Sequence, residues 1–279
     1  MLRFCLFLLG VLVLGSYALA LPGAKPADKQ ANQPAASEFV GSETCASCHD
    51  EVSKKFEGNR HTDVSLMHGK KGVSCETCHG PGKAHVDGAG DVTKIFNPAK
   101  ATAKQVDSRC LSCHQNQHGN FERSGHGEAN VSCVGCHSVH QSKSPVHLLK
   151  TENQTGLCFQ CHTDVKPQFN QPFHHKVEEG VVSCSDCHNP HGSFNRKNLR
   201  MASQLDAVCT KCHTETAGPF VYEHAVVKTE GCIACHTPHG GPNPRLLNRA
   251  NVNTICLQCH SPSPNFSTDR SRSIRLWRG

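Results

Sequence analysis

One pentapeptide, C-x-x-C-H, occurs nine times in this chain. The copies open at Cys45, Cys75, Cys110, Cys133, Cys158, Cys184, Cys209, Cys232 and Cys256, and their second cysteines are Cys48, Cys78, Cys113, Cys136, Cys161, Cys187, Cys212, Cys235 and Cys259. Each closes on a histidine: His49, His79, His114, His137, His162, His188, His213, His236 and His260. Two thiols at this spacing, followed at once by an imidazole, attach c-type haem. The thiols add across the two vinyl groups of one porphyrin, and the adjacent histidine reaches the iron as its proximal ligand. Other cysteine chemistries need other patterns. A disulfide framework does not require a histidine after every second cysteine. A zinc ribbon often lacks it, and a thioredoxin-type C-x-x-C comes once, in a βαβ setting. Only Cys5 falls outside the nine copies. The pattern predicts nine covalently bound haem c groups. No altered motif such as C-x-x-C-K marks a catalytic haem, so no catalytic residue is assigned and the chain reads as a carrier rather than an enzyme.

The elements that position these sites have little else to fold around. Phe, Tyr and Trp make up 5% of the 279 residues and the mean hydropathy is −0.45, thin material for a conventional core. With one motif per roughly 29 residues, the porphyrins themselves are expected to fill the interior, and the haem-free chain should not fold. Residues 1–20 read as a secretory signal peptide, with Arg3 before the apolar stretch Leu6 to Leu14 and an A-x-A site at Ala18–Ala20. Cys5 should leave with it. Residues 21–37, rich in Pro, Ala and polar side chains, read as a disordered leader. No later stretch is long and apolar enough to span a membrane, so the predicted location is the periplasm.

The remaining histidines reveal a repeat of about fifty residues. Each unit holds two motifs. The first is followed 11 to 13 residues later by His61, His126, His175 or His224. The second is followed three residues later by His140, His191 or His239, and six later by His85 in the first unit. These eight are the candidate distal iron ligands, each free to serve its own site or a neighbouring one. Outside the signal peptide Met67 and Met201 are the only methionines, so most irons should be bis-histidine, low-spin and low-potential, a state suited to electron transfer. His68, His118, His147 and His174 fit no repeat position. Residues 38–149 then hold units one and two, 150–255 units three and four, and 256–279 an incomplete fifth unit with a basic tail containing Trp277. That unit has no histidine after His260, which places the unmatched iron at the ninth motif.

The flanks alternate too. Odd motifs follow stretches such as "GSETCASCH", "VDSRCLSCH" and "NVNTICLQCH", which predict short capped helices ending at the haem. Even motifs follow "VSC" or "EGC", an extended approach into a turn, and lead into turn-rich segments such as "NPHGS" and "TPHGG". The predicted fold class is a multihaem cytochrome c: short α-helices and loops wrapped around a chain of haems, with little or no β-sheet. The polypeptide carries a formal +6. Ionised propionates and ferric porphyrin cores would turn this to about −3 oxidised and about −12 reduced, so the basic residues offset propionates. No aromatic-interleaved basic surface points to nucleic acid.

The stretches "GSETCASCH", "CETCHGPGKAHV", "SCSDCHNPHGS", "GPFVYEHA" and "CIACHTPHGGPNPRLL" closely resemble the MtrA/DmsE family of decahaem cytochromes, from about Gly41 to His260. The resemblance implies a periplasm-facing haem wire inserted in an outer-membrane β-barrel porin. Its donor would be a periplasmic or inner-membrane quinol-linked cytochrome, and its acceptor an outer-surface multihaem cytochrome, a terminal reductase or a metal oxide. It also implies distal roles for the eight histidines above. The family has ten haem sites and this chain has nine motifs; what is absent is the second half of unit five. A soluble periplasmic shuttle, or a multihaem reductase acting at an open ninth haem, are the other readings.

Overall fold

A computed structural model describes residues 34–67, 73–200 and 206–260 of the chain. The signal peptide, the leader up to residue 33, His68, Met201 and the basic tail at 261–279 lie outside the described residues. The chain divides into Met1–Ala35 and Ala36–Gly279, and all nine motifs belong to the second unit.

Among the described residues, regular structure is helical throughout: short α-helices and 3₁₀ turns, with isolated β-bridges and no strand. Most helices are four to eight residues long, and the longest, Ala103–His118, has 16. Helices this short do not persist alone, because nucleation costs more than one turn returns. The apolar core is correspondingly small. Val106, Phe121, Phe169 and Val177 are the buried hydrophobic residues among those described.

The two kinds of motif are built differently. Odd motifs follow a helix into the first cysteine: Ser42–Ala46, Ala103–His118, Gln154–Cys158, Ala207–Thr210 and Val252–Cys256 each reach it. Asn153 and Asn251 cap their helices through the side chain, accepting from the amides of Gly156 and Asn253. In the second unit the cap is Thr102, in a capping box with Gln105. It lies upstream of the "VDSR" stretch, so this helix starts earlier and passes through the whole motif. Even motifs are themselves a single helical turn: Cys75–His79, Cys133–Cys136, Cys184–Cys187, and the 3₁₀ turn Cys232–Ala234. Ser74, Ser132 and Ser183 approach them with extended backbone. Gly231 stands there instead at φ 73°, a conformation that favours glycine.

A side chain three or four residues ahead of each of the first three odd motifs fastens it to the even motif that follows. Ser42 Oγ accepts from the Cys75 amide at 3.3 Å. Asp107, buried, accepts from the Cys133 amide at 2.8 Å. Gln154 exchanges two bonds with Ser185, at 2.8 and 2.9 Å. After the even motifs of units two to four the chain loops back across the site, forming bridges His137↔Leu149, His188↔Leu199 and His236↔Leu247. The hydrogen bonds repeat as well. Lys150, Arg200 and Asn248 donate their amides to the carbonyls of Cys136, Cys187 and Cys235 at 3.0, 2.8 and 2.8 Å.

Glu76 ties the start of the described chain to the second motif. Its buried carboxylate accepts from the amides of Val40, Gly41 and Gly82 at 3.0, 2.9 and 2.7 Å. Burial pushes the carboxyl up, but the three amides outweigh it and hold it below the usual carboxylate range. A lowered native pKa stabilises above the unfolded value and loses that contribution as pH falls through the native one. Glu76→Gln should therefore loosen this anchor by about 1.5–3 kcal/mol at neutral pH. In the holoprotein the amides of Val40, Gly41 and Gly82 should exchange hydrogen faster, with the difference from wild type shrinking in acid. Unchanged protection of the three amides at neutral pH would refute the anchor.

Candidate haem-binding sites

A single helical turn places residues i and i+3 on one face, which sets the two thiols of each motif toward the same side. None of the 18 motif cysteines is in a disulfide. Neighbouring motifs meet through them. Within a unit the first cysteines come together: Cys45 with Cys75, Cys110 with Cys133, Cys158 with Cys184, and Cys209 with Cys232. Between units the second cysteine meets the next motif: Cys78 lies near Cys110 and Cys113, Cys136 near Cys161, Cys187 near Cys212, and Cys235 near Cys256 and Cys259. The thiols register this closeness. Burial, then Cys75, pushes Cys45 up to about 11. The neighbouring Cys158 draws Cys184 down to about 7. The nine motifs thus follow one another in space in the order they follow in sequence.

The histidines show what each motif encloses. His49 pairs with His85 at 6.4 Å between ring centroids, His79 with His140 at 6.0 Å, and His114 with His61 at 6.0 Å. His137 pairs with His191 at 5.9 Å, His162 with His126 at 5.9 Å, and His188 with His239 at 6.2 Å. His213 pairs with His175 at 6.1 Å and His260 with His224 at 6.1 Å. Two imidazoles on opposite sides of one metal, each bonded at about 2.0 Å with its centroid about 1.1 Å behind the nitrogen, would be about 6.2 Å apart. The interplanar angles run from 9° to 87°, as rings turned about a shared axis can. The eight pairs therefore fit an iron between them.

Their protonation fits as well. Nδ1 of His79, His137, His188 and His236 bonds the carbonyls of Phe96, His147, Lys197 and Arg245 at 2.9, 2.8, 2.8 and 2.7 Å. Nδ1 of His85, His126 and His175 does the same with Asp91, Pro190 and Pro238 at 2.9, 2.9 and 2.6 Å. His239 Nδ1 lies 3.0 Å from Gln168 Oε1, and His61 Nδ1 lies 3.1 Å from Asn59 Oδ1. A ring that donates through Nδ1 keeps the Nε2 lone pair for a metal and is held in orientation by the acceptor. Burial lowers His61, His140 and His239 below the usual histidine range. Burial first, then His118 and His137, pushes His191 down to about 4. A lowered pKa favours the neutral imidazole, the form that binds metal.

The pairing interlocks the units. Even motifs reach forward one unit, His79 to His140, His137 to His191 and His188 to His239. From the second unit on, odd motifs reach back one, His114 to His61, His162 to His126, His213 to His175 and His260 to His224. The segments Pro190–Gly192 and Pro238–Gly240 serve both directions at once. Each proline carbonyl orients one ring of the preceding unit, and each histidine opposes another. The glycine lets the segment press against that unit: a Cβ on Gly192 would lie 2.7 Å from the Asn120 carbonyl, and one on Gly240 would collide with the Gln168 carbonyl.

Three of the histidines without a repeat position can be placed. His174 is engaged at both nitrogens, by the Gln171 carbonyl at 2.7 Å and Glu179 at 3.1 Å, while its neighbour His175 opposes His213. His147 supplies the carbonyl that holds His137. His118 packs 3.9 Å from the His191 ring with its Nδ1 buried and unpaired. It lies one helical turn beyond His114, 6.0 Å away on the same helix face, so it flanks that site instead of opposing it. The i+4 spacing from His114 was its signal in the sequence. The unmatched ring falls elsewhere than the sequence suggested. His260 has His224 opposite it, and among the described residues His236 is the motif histidine with no imidazole at this distance. The reason is the forward reach of even motifs, which the order of histidines along the chain does not reveal.

A series of c-type attachment motifs joined thiol to thiol, with imidazole pairs spaced for an iron, defines a multihaem c-type cytochrome, an electron-transfer protein binding haem c covalently. Family comparisons agree: the doubled CXXCH motif matches residues 174–218 and 224–264, the NrfB-like c-type cytochromes residues 75–161, and cytochrome c554 and c-prime residues 17–80. The chain belongs to the MtrA family. It is 36% identical over 232 residues to the multiheme cytochrome MtrA of Shewanella baltica (strain OS185), a match covering 81% of this chain and 68% of that protein. It is also similar to the C-type polyheme cytochromes OmcC and OmcB of Geobacter sulfurreducens, at 27% and 26% identity over 73% of the chain, of whose length it spans 30% and 29%. Among the described residues no helix is long and apolar enough to cross a membrane.

Proposed function

We propose that this chain carries nine haem c groups as an electron wire leading from the periplasm to or across the outer membrane, within a β-barrel porin–cytochrome conduit. The observation that carries the reading is the interlocked set of eight imidazole pairs strung in chain order. Bound haem supplies reversible one-electron chemistry. The protein's part is to hold each group by two thiols and a proximal histidine, and to oppose that histidine with a second one from a neighbouring unit. An iron opposed on both sides would have no position for substrate, which favours a carrier over an enzyme. Sharing ligands between units draws successive groups together and fixes their order. A quinol-linked cytochrome on the periplasmic side would feed the wire, and an outer-surface cytochrome would drain it.

Proteoliposomes containing an outer-membrane porin of this conduit type and the holoprotein, loaded with an oxidised redox dye, test the role. External reductant should reduce the internal dye only when both components are present. A holoprotein that neither co-purifies with the barrel nor passes electrons through it would instead be a soluble shuttle.

A further inference from the structure

The paired rings along the chain fall into two sets. The crossed set is His61 against His114 at 87°, His126 against His162 at 63° and His175 against His213 at 71°. These serve the third, fifth and seventh motifs. The near-parallel set is His79 against His140 at 9°, His137 against His191 at 16°, His49 against His85 at 19° and His224 against His260 at 22°. His188 against His239 stands between, at 43°. In the interior of the chain the two sets have different supports, and both belong to the joints between units. Where His191 and His239 enter, the carbonyl just ahead of each takes Nδ1 of a crossed ring: Pro190 with His126 at 2.9 Å, and Pro238 with His175 at 2.6 Å. The first joint makes the same link through a relay. Buried Asn59 accepts the His61 amide on Oδ1 at 2.9 Å, and the same oxygen lies 3.1 Å from His61 Nδ1. Its Nδ2 donates to the carbonyl of Val139, the residue ahead of His140. The other support is a phenylalanine five or six residues before each crossed ring. Phe56 meets the His140 ring edge-on at 6.3 Å, Phe121 lies 6.5 Å from His191, and Phe169 lies 5.1 Å from His239; Phe121 and Phe169 are buried. Each joint thus aims one ring by a hydrogen bond and limits the turning of another by packing.

We infer that Asn59, Phe56, Phe121 and Phe169 are positioning residues, and that the joints they build make the wire alternate between two kinds of iron, crossed-ring at the third, fifth and seventh motifs and near-parallel at the second and fourth. The inference rests on the bis-histidine reading of these sites. Two parallel imidazoles split the pair of iron orbitals that holds the ferric hole, which favours the ferric state. Crossed imidazoles leave that pair nearly level. With the same two ligands throughout, the crossed irons are the stations of higher potential and the near-parallel ones lie lower between them. An electron passing from one unit to the next meets this step at every joint.

The test is EPR of the ferric, haem-loaded protein, joined to spectroelectrochemistry. Crossed rings give a single, highly anisotropic low-field line, and near-parallel rings give a rhombic three-line signal. At least three irons per chain should be of the first kind and at least four of the second. Asn59→Ala should move one iron out of the low-field set while the intact mass shows the full haem complement. Asn59→Asp keeps an acceptor for His61 Nδ1 and should keep that line. Its carboxylate makes His61 a more basic ligand, so one midpoint, that of the third haem, should fall. Phe56→Leu should shift one rhombic signal, leave the low-field set unchanged, and give a readout if Asn59→Ala loads haem poorly. A purely structural role for these side chains would leave the line shapes of every correctly loaded variant as in wild type. That result, or a single uniform class of low-spin iron in the unaltered protein, would overturn the inference and leave the wire intact. High-spin signal from several irons would instead undermine the bis-histidine reading itself.

Discussion

Secreted into a host that cannot attach haem, this chain should remain unfolded, without the helical circular dichroism of the holoprotein and with its amides exchanging at unprotected rates. Four buried hydrophobic side chains, Val106, Phe121, Phe169 and Val177, contribute about 1.5–3 kcal/mol each. Ordering one residue of backbone costs about 1–2 kcal/mol, and the described part of the unit exceeds two hundred residues. Short helices such as Gln154–Cys158 and Ala207–Thr210 add no stability of their own. The polar fasteners, Glu76, Asp107 and Gln154, join one motif to the next, so they act only after the motifs have been gathered. Haem attachment does the gathering: each porphyrin brings a large apolar surface, two covalent anchors and an iron that draws in a histidine from another unit. Folding and cofactor loading are then one event, as in small metal-dependent domains. A haem-free chain with native-like helicity and a cooperative melt would contradict this.

The second large effect concerns potential. Replacing His191 by methionine should raise the midpoint of a single haem, the fourth, by on the order of a hundred millivolts within the roughly 0.8 V that axial ligation spans. His191 lies 5.9 Å from His137 and is kept neutral by burial and by the neighbouring His118 and His137. Methionine is flexible enough to occupy the space. Because each group passes electrons only to its neighbours in the series, one raised midpoint in the middle becomes a trap, and end-to-end transfer should slow while the haem count stays the same. His174→Ala is the control: that ring is spent on Gln171 and Glu179, and spectroelectrochemistry should find every midpoint unmoved. If His191→Met moves the midpoint of a different haem, or of none, the forward pairing of even motifs is wrong.

Much of this molecule was legible in its sequence because haem attachment is a local covalent chemistry. The nine motifs, the absence of sheet among the described residues and the alternating character of odd and even sites all follow from residues within a few positions of each cysteine. Helix starts were less exact: Thr102 caps the long helix where Asp107 and Ser108 stood nearer the motif, and Asp107 turns instead to the Cys133 amide. What the sequence did not disclose is long-range. His126 and Pro190 are 64 residues apart and His175 and Pro238 are 63; no local spacing links them. The loops that return through Leu149, Leu199 and Leu247 were also missed, because their signal is a recurring leucine in an otherwise irregular stretch. The same gap separates the two ways of finding an unmatched ring among the described residues. Counting histidines along the chain points to His260, whereas pairing them across units points to His236.

The account stands on nine haems held in chain order, with irons between named pairs of rings. Iron anomalous diffraction from crystals of the haem-loaded protein measures this directly. Nine peaks should appear, running in sequence from the Cys45 motif to the Cys256 motif. Eight of them should lie midway between the paired histidines, about 3 Å from each ring centroid, and the eighth motif's peak should lie beside His236. Peaks that are out of chain order, or that fall between differently paired histidines, would contradict it.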